Sequence, residues 1–315
     1  MARHLSPNAR GAAYLTVGSI AAVVNDGLVR LAVEDGVDVY QALFLRGCGM
    51  IVILDALRRG RGERLDRQLA DRPLLVRIAA EVVVAAAFFT AIVHVEFATA
   101  HTVLMAAPFA VTVVAARLGE PVTRRRYVLV TIGFVGVVAV VQPTSAGFSP
   151  WVLLVVAAAG ALVVREFATR SVARATSPVT IALLTSVALT ALTGALSIIT
   201  GWGAVTARAS VSLALACICL MAGYLLSIEA VRIGDLSVSA PFRYTTVLGA
   251  VVVGLAFFGE IPGTLTIVGC ALIFGAGALS ARDEAVQSRR QSYDRDAPAG
   301  PMSRPAKAAG AGEAC

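Results

Sequence analysis

A chain of 315 residues that is 57% hydrophobic and only 15% charged, with a mean hydropathy of +0.79, lacks the polar surface of an ordinary water-soluble domain. Its net charge of +7 sits on arginines placed between apolar runs, not gathered into one basic patch with interleaved aromatics. That pattern excludes a nucleic-acid-binding surface and suits loops that face anionic lipid.

The first residues, with Arg3 and Arg10, lead into an apolar run at about 12–33. We read it as a first transmembrane span, since more apolar runs follow and no small-residue cleavage site precedes a soluble domain. The next runs lie near 40–57, 74–93, 97–117, 126–142, 150–166, 178–200, 210–231, 236–257 and 264–280. At about 1.5 Å per helical residue, runs of this size suit a hydrocarbon core of about 30 Å. Arg58, Arg59, Arg61, Arg64, Arg67 and Arg72 fill the second loop, Arg117 and Arg124 to Arg126 the fourth, Arg170 and Arg174 the sixth, and Arg232 and Arg282 come later. The alternate loops hold Glu34, Asp35, Asp38, His94 and Glu96, with Arg208 as their arginine. The positive-inside rule then puts both termini in the cytoplasm and makes the span count even, which ten satisfies. Trp151 and Trp202 read as interfacial anchors. From 281 to 315 the composition turns to Arg, Ser, Pro, Ala and Gly, the expectation for a disordered cytoplasmic tail. Four of the five cysteines lie in apolar runs, and Cys217 and Cys219 point to different helix faces, so packing is expected of them rather than disulfide, metal or redox chemistry.

The two halves repeat a pattern. The fourth run passes into the fifth through Gly119-Glu120-Pro121, and the ninth into the tenth through Gly259-Glu260-Ile261-Pro262. With five spans per half the second copy is inverted, which predicts an all-α membrane protein of ten helices in two inverted five-helix repeats, 12–142 and 150–280, after a short cytoplasmic N-terminus, 1–11. Phe44-Leu45-Arg46, Gly119-Glu120-Pro121, the run Ala240 to Thr245, and Gly259 to Pro262 with Gly269 beyond it carry a resemblance to the drug/metabolite transporter superfamily, in its EamA-type ten-helix members, over roughly residues 12–280. That resemblance implies carriage of small metabolites such as amino acids, their derivatives, vitamins or nucleoside-like compounds, through a cavity between the repeats.

Ionisable groups inside a span cost about 2.5–3.5 kcal/mol each on insertion scales, so the deep ones are the first site candidates. Asp26 and Arg46 lie at matching depth in the first and second spans, which predicts a neutralising pair. Glu81 and Arg243 lie at matching depth in the third and ninth. Arg243 suits a substrate carboxylate or phosphate; Glu81 suits a substrate ammonium or a transported proton, or else pairs with Arg77 one turn away. Arg46, Glu81, Arg243, Tyr244, His101 and Phe89 are therefore the expected substrate-binding set, with Glu81 and Asp26 as coupling candidates and Glu81 preferred. Phe88, Met105 and Tyr224 are further candidates for the cavity wall. Glu120 and Glu260, at helix ends before prolines, suit a structural or gating role at the start of the following helix. Gly133, Gly136, Gly269, Gly275 and Gly277 read as close helix contacts. No metal site or cofactor is expected: GxxxxGK[ST], HExxH, GxSxG and DDxxD are absent. The expected function is inner-membrane secondary transport of a small polar metabolite by alternating access, not enzymatic activity; an intramembrane enzyme or a passive channel is the alternative. Membrane lipid and the substrate are the expected partners, and proton coupling and homodimerisation both stay open.

Overall fold

The computed structural model describes residues 7–63, 71–120, 122–142, 149–172, 176–233 and 240–296. Pro121, the beginning of the ninth run and the tail beyond Asp296 lie outside them. The elements are α1 (Pro7–Glu34), α2 (Val39–Gly60), α3 (Arg72–Ile92), α4 (Phe97–Leu104), α5 (Ala107–Arg117), α6 (Arg124–Val141), α7 (Val152–Ser171), α8 (Pro178–Thr200), α9 (Ala207–Ile233), a 3-10 turn (Ala240–Tyr244), α10 (Thr245–Phe258) and α11 (Thr264–Asp296). Helix therefore occurs in each of the ten expected segments. Among the described residues, eight segments are long and apolar enough to cross a membrane. The other two are α6, which begins with Arg124, Arg125 and Arg126, and the shorter helical stretch Phe242–Phe258.

In hydrocarbon each backbone donor and acceptor has to be satisfied inside the segment, which is why helix dominates. Polar side chains follow the same rule. Thr90, Thr102, Thr112, Thr185 and Thr193 each donate a hydroxyl to the carbonyl four residues back. Asp38 caps α2 by accepting from the amides of Tyr40 and Gln41, and Ser177 caps α8 through Val179. α5 and α10 both end at a glycine in the left-handed region, Gly119 (φ 92°) and Gly259 (φ 65°). Val52, Val138, Ile218 and Val252 are more than half exposed, as they would be against lipid.

Two expectations need correction. The run at 97–117 is two helices, because Pro108 has no N–H for the carbonyl of Leu104 and its ring opposes a continuous turn. The ninth run is divided as well, into the 3-10 turn and α10. The last helix also does not stop near residue 280: it runs to Asp296 through residues that are polar but include neither Gly nor Pro, so the end of apolar character is not the end of helix.

The main packing partners cross the middle of the chain: α1 with α9, α3 with α7, α2 with α8, and α6 with α11. The α6–α11 seam depends on small residues. A Cβ built on Gly269 would stand 2.6 Å from the carbonyl oxygen of Gly136 and would also strike Val140. Gly275, expected to be a contact, has nothing within 4 Å of its Cβ position. Gly269→Val should lower thermal stability in detergent by about 1–3 kcal/mol, the usual cost of overpacking, whereas Gly160→Ala, into open space, should be neutral or stabilising. Equal melting temperatures for Gly269→Val and wild type would show that the seam is loose.

Candidate functional site

A cavity of about 250 Å³ lies at the arginine-rich end of the bundle, between the α4–α5 break and the 3-10 turn before α10. Its polar wall is Arg126, Arg165, Glu166, Arg170, Arg243 and Tyr244; Met105 and Phe109 are on its apolar side. The first half contributes α4, α5 and α6, and the second contributes α7, the 3-10 turn and α11. Arg165 is engaged by Glu81 at 3.0 Å, Arg170 by Glu120 at 2.9 Å, and Arg126 donates to the Thr112 hydroxyl at 3.0 Å. For Arg243 no ion pair occurs among the described residues, and its side chain is exposed to the cavity. The Tyr244 ring beside it is buried, with its centroid 6.4 Å from that of Phe109. The cavity can thus receive an anionic group at Arg243 and a flat apolar portion against Met105 and Phe109.

The expected set divides between two places. Arg243, Tyr244 and Met105 line the cavity. Glu81 is not paired with Arg243; it sits behind the wall, held by Arg165 and, at 4.0 Å, by Arg77. Arg46, His101, Phe88 and Phe89 are buried at the opposite end of the bundle. Tyr224 packs with Met50, Leu54 and Leu183, apart from both places.

At that opposite end the direct Asp26–Arg46 pair is replaced by a relay. Arg46 donates to Asn25 Oδ1 at 3.3 Å, Asn25 Nδ2 donates to Asp26 Oδ1 at 2.8 Å, and Asp26 Oδ2 lies 3.1 Å from His101 Nε2. Asn25, one residue from Asp26, offers both an acceptor and a donor, so it can stand between cation and anion. The Arg46 guanidinium also lies 4.7 Å from the Phe89 ring centre, an attraction between cation and ring face.

One turn along α1, Arg30 collects several partners. It pairs with Glu260 at 2.7 Å and Glu34 at 3.2 Å, donates to the Val95 carbonyl at 3.3 Å, and lies 4.2 Å from the Phe258 ring centre. The second oxygen of Glu260 accepts the Phe97 amide at 2.6 Å, so it caps α4 from the other half of the chain, not the helix that follows it. Arg30, outside the expected site set, has a side chain only 12% exposed.

A register of 140 residues joins the two ends. Arg30 and Arg170 are 140 positions apart, and so are Glu120 and Glu260, so the pairs Arg30–Glu260 and Glu120–Arg170 each join one half of the chain to the other in reciprocal sense. The same interval relates Gly119 to Gly259, the end of α4 at Leu104 to the end of the 3-10 turn at Tyr244, and Asn25-Asp26 to Arg165-Glu166. The reciprocal pairs differ in burial: side chains in Arg30–Glu260 are 12% and 18% exposed, those in Arg170–Glu120 47% and 52%.

No family model matches the chain. It is 29% identical over 194 residues to a riboflavin transporter of Rhizobium johnstonii, a match covering 61% of this chain and 64% of that protein's length. A solved crystal structure has the same fold, with a TM-score of 0.59 and 20% identity over 84% of this chain and 97% of that one.

Removing one partner from each reciprocal pair should have unequal effects. Glu260→Gln takes the shortest ion pair from a nearly buried guanidinium that keeps Glu34 and the Val95 carbonyl, and should cost about 1.5–3 kcal/mol, whereas Glu120→Gln, in an exposed pair, should cost about 0–1 kcal/mol. Chemical unfolding in detergent micelles measures both, and similar losses would show that the burial difference has no energetic weight.

Proposed function

We propose that this chain is an inner-membrane secondary transporter that moves a small polar metabolite by alternating access between two inverted five-helix repeats, 12–142 and 150–280, with both termini cytoplasmic. The observation that carries the reading is the cavity where the α4–α5 break of one half and the 3-10 turn leading into α10 of the other meet around Arg243 and Tyr244. Helix breaks at membrane depth leave backbone groups to be satisfied, and such breaks are tolerated where they line a cavity. The packing supports the repeat. α1 on α9 and α7 on α3 are reciprocal under the 140-residue register, and α2 with α8 and α6 with α11 map onto themselves. The ion pairs obey the same register.

In this reading the cavity is open at the cytoplasmic mouth, and the other mouth is filled by Phe88, Phe89 and Phe97 and latched by Arg30–Glu260. When the second mouth opens, Asn25, Asp26, Arg46, His101 and Phe89 become its lining, as Arg165 and Glu166 line the first. A passive channel fits less well, because the packed aromatic end interrupts any polar path. The riboflavin transporter relative favours a vitamin-like cargo, and Arg243 favours one with an anionic group, such as a carboxylate or phosphate ester.

Proteoliposome counterflow with labelled riboflavin and riboflavin 5′-phosphate tests this directly. A hydrogen bond to a charged group contributes about 1.5–3 kcal/mol, so Arg243→Ala should lower phosphate-ester transport roughly ten- to a hundredfold, with partial recovery in Arg243→Lys. Wild-type rates in a correctly inserted Arg243→Ala protein would remove Arg243 from the site. For the mechanism, an Arg30→Cys/Glu260→Cys double variant should lose transport on oxidation and regain it on reduction; transport unaffected by a formed cross-link would rule out opening at that mouth. For orientation, alkaline phosphatase fused after Asp296 should be inactive, and an active fusion would put the C-terminal end outside.

A further inference from the structure

We infer that Asp26 and His101 form a proton-binding site that ties shut the mouth opposite the cavity; this rests on the transport reading above and assigns its coupling site. The inference comes from counting hydrogens. His101 is 2% exposed, and its Nδ1 lies 3.0 Å from the carbonyl oxygen of Phe97. A carbonyl can only accept, so Nδ1 carries a hydrogen whenever that contact is a hydrogen bond. On a neutral ring Nε2 then has only a lone pair, and it faces Asp26 Oδ2 at 3.1 Å. An ionised carboxylate offers another lone pair. The Phe97 and Asp26 contacts are hydrogen bonds at the same time only when one more proton is bound, on Nε2 as an imidazolium or on Oδ2 as a carboxylic acid. Asp26 Oδ1 is occupied by the Asn25 amide and does not compete for it.

The His101 end of this contact is buried, the Asp26 side chain is 19% exposed, and among the described residues neither group is in direct contact with an arginine. The rings of Phe97 and Phe88 lie with centroids 4.4 and 5.1 Å from that of His101. Arg46 on α2 reaches Asp26 through Asn25, not by direct contact. Arg30 on α1 is taken up by Glu260 and Glu34, and Glu96 before α4 accepts from the Thr99 hydroxyl. Thr102 on α4 is bonded to Cys270 of α11. On α3, Glu81 is held between Arg165 and Arg77, a charge-compensating position that makes it a poorer proton carrier than this pair.

The site lies where the mouth would open. Asp26 ties α1 to α4, and one turn further Arg30 ties the same helices through Glu260, which caps Phe97. Loss of the proton leaves a neutral ring that can keep only one of its two contacts, the Phe97 carbonyl or Asp26, and so weakens the tie between α1 and α4. Proton binding and closure of this mouth are therefore linked, each favouring the other by the same free energy.

The chain has three histidines, so nitrogen-15 NMR of histidine-labelled full-length protein in liposomes can follow His101, with His101→Gln identifying its signal. Between about pH 5 and 9, the His101 Nε2 resonance should move in a single step that disappears in Asp26→Asn. A neutral, Nδ1-protonated ring with an unperturbed Nε2 across that range, or a step unchanged in Asp26→Asn, overturns the proposal. In proteoliposomes the wild-type riboflavin counterflow rate should change about tenfold over the same range, and in Asp26→Asn the profile should be flat whatever the absolute rate. Wild-type counterflow that is active but independent of pH also overturns it. Absence of wild-type riboflavin counterflow instead counts against riboflavin as the cargo, and the NMR step then decides the proton site by itself.

Discussion

The arrangement depends on the guanidinium of Arg30. In a low-dielectric bundle a buried cation is expensive unless its donors are used, and Arg30 uses them on Glu260, Glu34 and the Val95 carbonyl. Those partners come from α1, the α3–α4 connection and the segment between α10 and α11. One side chain therefore fixes where three parts of the chain meet. Because Glu260 also caps α4, the same carboxylate sets the position of His101 one turn below. The aromatic packing of Phe88, Phe89 and Phe97 around that histidine fills the space this constraint leaves.

The apolar runs and the arginine alternation were enough to read ten helical segments, and Arg243 stood out by its charge in an otherwise apolar stretch. What local pattern could not supply was choice of partner. Matching depth suggested Asp26 with Arg46 and Glu81 with Arg243, yet depth is one coordinate of three. Asn25 takes the first contact and Arg165 the second. Arg165, Glu166 and Arg170 went unnoticed as site residues because charges near a helix end look like snorkelling loop residues. The signal for finding them was present: the interval between the two Gly-Glu motifs, applied to Arg30 and Asp26, leads to Arg170 and Glu166.

Charge in the cavity is organised by compensation. Arg165 and Arg170 each keep a carboxylate behind or beside the wall, so their positive charge is largely committed to structure. Arg243 presents its guanidinium to the open space, next to a buried ring and an apolar flank. In the proposed site an anion with an apolar body would gain more than a bare inorganic ion, because part of the surface is useful only to an apolar group.

Under the proposed alternating-access reading, the unequal burial of the two reciprocal pairs bears on turnover. A carrier cycles only if its two end states differ by no more than a few kcal/mol; otherwise it rests in one of them. Rehydrating Arg30 and Glu260 on opening one mouth is costly if nothing offsets it. Here the opposite mouth holds the same two residue types, arginine and glutamate, already half in water. Closing that mouth dehydrates a matching pair while the first is released, so the change in solvation is exchanged between the ends rather than added. Arginine and glutamate placed 140 residues apart at both ends would thus bring the two proposed states close in energy by chemical identity.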